Sequence, residues 1–456
     1  MQVERRNQWT VGDFTLTARE FDQKEQNPVY KISLLASDHL SISHLPISEI
    51  RELPNWDQVV HVINDKHLQK LIQKFHRYGP LNILSDKMCP FQAGAVREKY
   101  VALVGPHNLV TQYEEESTVA RSHLLSFFTK EKLKSLETSW RGITKEWLAK
   151  QIALEKVLLF DAAHVLVGEC LIRGILGYEE CSEEDLRFNV EFWKTLLSPL
   201  NCELKSAKEY ESEGKPGLFG NIWNLVQSGP EIAEKVYAYH VKSSDLNQLA
   251  EKIYQASCLN KTSLVFHLID KNWSNEDILE SIKGFLIAGQ ETVAYFLGFI
   301  LYEYAKNQEM QKRHAEAPSE IKNAFLEALR LYSVGGAQRE AGQDLVVSCP
   351  DGKEHYIRKG DMLVCEPYLA GHTQEWENPE IFDASREDLY HVKETPHFGS
   401  GAHRCIGEKA AEVEILSILE EILSQATLTT ESTLPDLLYG FTLRPKHDLY
   451  IQFNTK

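Results

Sequence analysis

Apolar residues recur three and four positions apart through much of the chain, a period that is typical of amphipathic helices. The pattern is clearest from about residue 130 to 330 and again at 414–423, EILSILEEIL. The longest candidate helix covers 274–307, and its middle is apolar almost all round, so we expect it to cross the core. At its start, Ser274 with Asp277 three residues later is typical of an N-terminal helix cap.

Shorter stretches in which apolar and β-branched residues alternate predict small sheets. These stretches are 27–35, 39–46, 100–106, 341–369 and 441–453. We expect the first two to pair across a short polar turn. Because helices dominate and do not alternate regularly with strands, the pattern favours a mainly α fold with small β-sheets, of the α+β class. No repeat or low-complexity linker is visible, so we expect residues 1–456 to form a single domain.

The middle of the longest predicted helix breaks the rules of a buried helix. It reads AGQET at 288–292, which places Gly289, Glu291 and Thr292 inside an apolar segment. A glycine inside a helix costs about 1 kcal/mol relative to alanine, and a buried acid costs more unless it is paired. Such departures tend to mark functional positions. A polar patch at a helix kink is the simpler alternative.

One of the eight cysteines lies in a glycine-rich stretch, FGSGAHRCIG at 398–407, just before a predicted helix. A cysteine on a loop that opens a helix is typical of a ligand or a nucleophile, and a buried inert thiol is the alternative for Cys405. The other cysteines are scattered with no C-x-x-C pair. The spacing therefore indicates neither a zinc ribbon nor a disulfide framework.

The net charge and the distribution of cysteines indicate which partners and which cellular compartment suit the protein. The formal net charge of −17 over 456 residues argues against the basic surface that nucleic acids or anionic membranes require. Scattered thiols fit a reducing compartment. The opening residues, MQVERRNQWTVGDF, contain no apolar stretch long enough for a signal or an anchor. We therefore expect a cytoplasmic protein.

Taken together, these motifs resemble those of the cytochrome P450 haem-thiolate monooxygenases of the soluble bacterial type, and the resemblance runs through most of the chain. The family's cysteine loop is F-x-x-G-x-[RH]-x-C-x-G, and 398–407 match every fixed position. Its oxygen-activating helix carries [AG]-G-x-[DE]-T, which 288–292 match. Its E-x-x-R helix matches at Glu327 and Arg330, and Arg386 looks like the third member of the family's structural triad.

The resemblance implies the P450 fold, with haem b (iron protoporphyrin IX) between the long central helix and the cysteine-loop helix. Cys405 would be the axial ligand of the haem iron, and an axial thiolate favours cleavage of the O–O bond of dioxygen. Residues implied to bind the cofactor are Phe398, Gly399, Gly401, His403, Cys405, Gly407, Arg339, Arg121 and Ala288. Among these, His403, Arg339 and Arg121 are the candidate cations for the haem propionates. The family prefers Trp or His four residues before Arg121, where this chain has Ser117.

The activity that the resemblance implies is insertion of one oxygen atom from O2 into a lipophilic small molecule. Electrons would come from a separate redox partner, a ferredoxin with its reductase. Gly289 would let dioxygen lie against the helix backbone, Thr292 would hydrogen-bond it or hold a water, and Glu291 would relay protons. The implied pocket wall includes parts of 75–100, Phe285, Ala288, 334–337, Phe441 and Thr442. The basic residues that could form a docking surface for the partner are Lys130, Lys132, Lys134, Arg141, Lys145, Arg404 and Lys409.

Two alternatives remain open from the sequence. One is a haem-thiolate enzyme that needs no reductase, either driven by peroxide or acting as an isomerase or dehydratase. The other is a haem-binding sensor without turnover. The intact pair of Glu291 and Thr292 favours the monooxygenase, since a carrier has no need of a proton relay.

Overall fold

The computed structural model describes the larger part of the chain. The described residues are 8–11, 14–18, 32–35, 60–63, 66, 69, 70, 104–109, 112, 114–187, 244–340, 344–348, 352, 354–358, 362–365, 367–373, 375–400, 404–439 and 442–456. Structural statements below refer to these residues.

Helices make up most of the described chain, as the sequence predicts. They are α1 (Glu114–Phe127), α2 (Lys130–Ile152), α3 (Leu159–Glu169), which continues as a π-helix (Cys170–Leu176), α4 (Leu264–Asp270), α5 (Asn275–Lys306), α6 (Gln308–Glu316), α7 (Ile321–Leu331), α8 (Pro367–Gly371) and α9 (Glu408–Gln425). A further helical stretch covers 244–257. Short 3-10 turns cover Pro318–Glu320 and Leu389–Glu394.

The strands form four small sheets. The strands are β1 (Gln8–Val11), β2 (Phe14–Ala18), β3 (Ile32–Leu35), β4 (Val60–Ile63), β5 (Val157–Leu158), β6 (Ala337–Glu340), β7 (Leu345–Ser348), β8 (Glu354–Ile357), β9 (Met362–Cys365), β10 (Ala426–Thr429), β11 (Leu437–Tyr439), β12 (Leu443–Pro445) and β13 (Tyr450–Thr455). Their orders are β1-β2-β7-β8, β3-β4-β9-β6, β10-β13-β5 and β11-β12. The pairs β3–β4 and β4–β9 are parallel, and all the others are antiparallel.

The central helix α5 crosses the core, as its apolar pattern predicts. It begins after Ser274, whose hydroxyl accepts a hydrogen bond from the backbone N–H of Asp277 over 3.1 Å. Its main partner is α3, and Gly298 allows the close approach, because a Cβ there would lie 2.5 Å from a ring carbon of Phe160. By length and hydropathy α5 could also cross a membrane, but 61% of its most apolar window is buried within the structure. Packing inside the fold therefore accounts for its composition.

One of the strand predictions differs from the structure, and another is only partly tested. The stretch 27–35 contributes β3, which pairs in parallel with β4, while its predicted partner 39–46 lies outside the described residues. The stretch 100–106 is described only from residue 104, and 104–106 is a helix end followed by a turn. Gly105 there has φ +96°, and a side chain at that position would meet the carboxyl group of Glu280. That close approach is a tertiary contact, and the local alternation of apolar and polar residues cannot predict it.

Candidate active site

Cys405 lies at the end of a tight loop, directly before α9. The loop is closed by a 2.8 Å hydrogen bond from the backbone N–H of Cys405 to the carbonyl of Phe398. Gly399 adopts a left-handed conformation with φ +72°, which favours glycine, and its N–H donates to the carbonyl of Pro396 over 2.8 Å. Gly407 is the N-cap of α9. The loop therefore places the thiol at the positive end of a helix.

Opposing effects act on the Cys405 thiol. Its side chain has accessible surface, yet protein atoms surround it closely enough that desolvation raises its pKa above the usual value of a thiol. The backbone N–H groups of Gly407 and Glu408 and the charge of Arg121 act in the opposite direction and stabilise a thiolate. Backbone N–H groups that stabilise a thiolate suit a metal ligand better than an inert core thiol.

The AGQET segment presents an accessible face in an otherwise buried part of α5. Ala288 is exposed, and Gly289 and Thr292 are half-buried, whereas Gln290 and Glu291 are buried. The hydroxyl of Thr292 donates to the carbonyl of Ala288 over 2.7 Å. A Cβ on Gly289 would lie 3.5 Å from the side chain of Leu171 in the π-helix, which is an ordinary contact. The accessible face of this segment therefore carries Ala288, Gly289 and Thr292.

Glu291 does not share that accessible face with Thr292. Only 3% of it is exposed, and its Oε1 accepts a 3.0 Å hydrogen bond from the hydroxyl of Thr442, directly before β12. Burial raises the pKa of Glu291 to about 7, against the opposing effects of the Thr442 hydrogen bond and the charge of Arg444. The carboxyl group can therefore gain and lose a proton near neutral pH.

The three candidate cations for the haem propionates have different positions. The guanidinium of Arg121, on α1, donates to the backbone carbonyl of Arg404, which precedes Cys405, so it lies at the cysteine loop. Arg339 lies in β6, in register with Leu363 of β9. His403 lies outside the described residues, as does Gly401. Ser117, one helical turn before Arg121, is buried.

Glu327, Arg330 and Arg386 form a buried network, in agreement with the sequence motif. Glu327 Oε2 accepts from Arg330 Nε over 2.8 Å, and Glu327 Oε1 accepts from Arg386 Nε over 3.0 Å. The guanidinium of Arg330 also donates to the carbonyls of Gly371 and Pro379, over 2.6 Å in each case. This network joins α7 to the segment that leads into the cysteine loop.

The basic side chains predicted as a docking surface are partly neutralised by acidic neighbours. The ion pairs are Arg404 with Glu408, Arg141 with Glu137, and Lys409 with Glu412. In addition, Lys132 donates to the carbonyl of Thr262. Arg404, Arg141 and Lys409 therefore add little net positive charge, whereas Lys132 keeps its charge because a carbonyl carries none.

Two features of the site are not evident from the sequence. Thr442 is predicted only as part of the pocket wall, yet its hydroxyl holds Glu291. His397, directly before Phe398, has its Nδ1 3.0 Å from the hydroxyl of Ser333, and burial lowers its pKa to about 4, so it is neutral. A threonine in an alternating strand and a histidine after a proline carry no local signal of these contacts.

Comparison with known proteins gives the relatives of this chain. Residues 226–451 match the family model for cytochrome P450. Cytochrome P450 BJ-1 of Bradyrhizobium diazoefficiens is 24% identical over 216 residues, which cover 46% of this chain and 52% of that protein. The probable cytochrome P450 127A1 of Sinorhizobium fredii is 32% identical over 151 residues, which cover 32% of this chain and 34% of that protein. The matches thus span about half or less of the length of these relatives.

The fold is also similar to a solved structure over a longer stretch. The retinoic acid-bound cyanobacterial CYP120A1 superposes with a TM-score of 0.66 at 19% identity, covering 88% of this chain and 90% of that one. The likeness shows that the mainly α arrangement with small sheets is the P450 fold. With the matching family model and the cysteine loop before α9, it follows that the chain belongs to the cytochrome P450 family.

Proposed function

We propose that the protein is a haem-thiolate monooxygenase that inserts one oxygen atom from O2 into a lipophilic small molecule. The observation that carries the proposal is the Cys405 loop, in which an accessible thiol lies before the first turn of α9, close to two backbone N–H groups. The family implies a haem cofactor, and haem b is the form we propose. When bound, haem would supply the oxygen chemistry, and a thiolate ligand would favour O–O cleavage.

The described residues fit this cofactor. The thiol of Cys405 is accessible and has donors that stabilise a thiolate, which a metal ligand needs. We propose Cys405 as the axial ligand, with Phe398, Gly399, Gly401, Gly407 and Ala288 against the macrocycle. We propose Arg121, Arg339 and His403 as partners of the propionates. Arg121 is supported by its contact with the carbonyl of Arg404, beside the ligand.

Thr292, Gly289 and Glu291 have separate roles in the proposal. The hydroxyl of Thr292 lies on the accessible face of α5, where it can hydrogen-bond dioxygen or hold a water. Gly289 lies beside it on the same face and leaves the backbone accessible. Glu291 holds a proton near neutral pH and supplies it from the buried side of the helix.

For the substrate, the redox partner and the cellular location, we propose only a general class. We propose a lipophilic substrate, electrons from a ferredoxin and its reductase, and a cytoplasmic location. The bacterial relatives support this setting. We also propose that residues 1–456 form one haem domain, which is supported by the 88% of the chain that superposes on a solved relative.

A substrate screen combined with turnover tests the proposal. Lipophilic compounds that bind close to the iron displace its water ligand and shift the haem spin state, and these compounds are then assayed for product. Product that requires O2, NAD(P)H, ferredoxin and reductase supports a monooxygenase. Product with peroxide alone, or isomerisation without any electron donor, would instead support the reductase-independent alternative. Binding without any product under all three conditions would support a sensor.

A further inference from the structure

Glu291, on the central helix α5, forms a hydrogen bond with a residue from a distant part of the chain. Thr442 follows Glu291 by 151 positions, and its hydroxyl donates to Glu291 Oε1 over 3.0 Å. Both residues are buried, with 1% of Thr442 and 3% of Glu291 exposed. Among the described residues, Glu291 Oε2 has no hydrogen-bond partner. The two oxygens of the carboxyl group are therefore in different situations.

The C-terminal hairpin fixes the position of Thr442. Leu443, the next residue, pairs with Tyr439 across the β11–β12 hairpin. Its backbone N–H also donates to the carbonyl of Val334, in the segment after α7, over 3.1 Å. Since Thr442 adjoins this anchored residue, its own backbone has little freedom to move. The hydrogen bond from its hydroxyl therefore restrains the orientation of the Glu291 carboxyl group.

Further ionisable groups approach Glu291 from three elements. Arg444 on β12 contributes an opposite charge to Glu291, and it also acts to lower the pKa of Tyr295, one helical turn along α5 from Glu291. Burial, and then the charge of Glu291, raises the pKa of Tyr295 to about 12, so this phenol stays protonated. Asp448, after β12, influences Tyr295 and accepts 2.9 Å hydrogen bonds from the backbone N–H groups of Phe160 and Asp161 at the start of α3.

The ring of His164 completes these surroundings, since it meets the ring of Tyr295 edge-on at 4.7 Å. None of the described groups around Glu291 makes a direct ion pair with it. Thr442 is the side chain that bonds the carboxyl group directly.

We propose that Thr442 is a positioning residue for Glu291: its hydroxyl engages Oε1 and leaves Oε2 as the oxygen that exchanges the proton. This inference rests on the proposed monooxygenase function, in which Glu291 supplies protons to the oxygen side of α5. Glu291 loses one proton at Oε2 and regains one from water, so it returns to its initial state. Without Thr442 the carboxyl group can rotate, and both oxygens compete for the exchange.

Infrared spectroscopy of the purified full-length protein with its haem tests the positioning directly. The difference between wild type and Glu291→Gln identifies the C=O band of the protonated carboxyl group, and a pH titration of that band gives its midpoint. Thr442→Val removes the hydroxyl at nearly constant volume. We expect the band to move to higher frequency and the midpoint to rise by about one pH unit, since one hydrogen bond to the charged form is lost.

Two further variants separate positioning from general loosening of the fold. Thr442→Ser keeps the hydroxyl and is expected to restore the wild-type band and midpoint. Thr144→Val is the matched control, because Thr144 is fully buried and its hydroxyl donates to the carbonyl of Trp140, one turn earlier in α2, over 2.7 Å. It is expected to leave the band unchanged.

The outcome can be told apart from failure of the proposed function, since the band needs no turnover. An unchanged band and midpoint in Thr442→Val, or a serine variant that behaves like the valine variant, would overturn the positioning role whatever the enzyme does. A shifted band in a protein that yields no product would leave the positioning intact and refute the monooxygenase. In an active enzyme, the pH profile of product formation is expected to shift with the midpoint in Thr442→Val and not in Thr144→Val.

Discussion

Arg386 Nε lies 3.0 Å from Glu327 Oε1, which joins the segment before the cysteine loop to α7. Glu327 is fully buried and also bonds Arg330, of which 1% is exposed. Removing one member of such a network leaves an uncompensated buried charge. The relationship therefore predicts a large loss of stability from a small chemical change.

Glu327→Gln is expected to lower the free energy of unfolding by about 3–5 kcal/mol, because both guanidinium groups lose their counter-charge. Urea denaturation followed by circular dichroism measures it. Glu183→Gln is the matched control, since Glu183 pairs with Arg187 in an exposed ion pair and is expected to cost less than about 1 kcal/mol. Equal effects of the two substitutions would contradict the structural role of Glu327.

Gly371 and Gly142 are predicted to respond to alanine in opposite directions. A Cβ on Gly371 would lie 1.9 Å from the backbone carbonyl oxygen of Arg330, so Gly371→Ala must displace the backbone around the buried network. A Cβ on Gly142, inside α2, meets nothing within 4 Å. We expect a clear loss of thermal stability at 371 and a gain of about 1 kcal/mol at 142 from improved helix propensity. A tolerated alanine at 371 would contradict the packing around Arg330.

Stability is predicted to decrease as the pH rises, because of Glu414 on α9. Only 4% of this residue is exposed, its Oε1 has no hydrogen-bond partner among the described residues, and burial raises its pKa to about 8. The folded state therefore keeps a proton that the unfolded chain releases above about pH 4.3, the ordinary pKa of a glutamate. It follows that the free energy of unfolding falls from there to about pH 8 and then levels off.

Urea denaturation at pH 5, 7 and 8.5 checks this prediction in wild type and Glu414→Gln. The glutamine cannot ionise, so the variant should lose less stability than wild type over this range. Glu309→Gln, at an exposed position on α6, should keep the wild-type slope. Identical slopes for wild type and Glu414→Gln would show that Glu414 is not protonated in the folded state.

The sequence predicts the helices and strands better than it predicts which of them contact one another. The central helix and its cap follow from local pattern and appear as expected, at Ser274 and Asn275–Lys306. The contact between Thr442 and Glu291 does not, since it joins residues 151 positions apart and depends on how the C-terminal hairpin folds back onto α5. Likewise, the parallel pairing of β3 with β4 follows from tertiary packing that alternation alone does not encode.

Thr292→Ala is expected to retain haem but to divert electrons from product to peroxide or water. Its hydroxyl lies on the accessible face of α5, and its loss removes the group that orients the proton for oxygen chemistry. We expect the yield of product per NAD(P)H to fall by roughly tenfold. This is less than the rate acceleration of about 100-fold or more that a positioned proton donor typically contributes. Thr138→Ala is the control, because its hydroxyl makes the same type of bond, to the carbonyl of Lys134, on an exposed part of α2. Unchanged coupling in Thr292→Ala would count against the role of Thr292.

The spectrum of the reduced protein under carbon monoxide tests the central claim, that Cys405 is a thiolate ligand of haem iron, most directly. We predict the long-wavelength Soret band of thiolate-ligated haem for wild type and for Cys258→Ser, a control thiol that hydrogen-bonds the nearby carbonyl of Gln255. For Cys405→His we predict a histidine-type spectrum in its place. A histidine-type spectrum in wild type, or a thiolate band that persists in Cys405→His, would contradict the account.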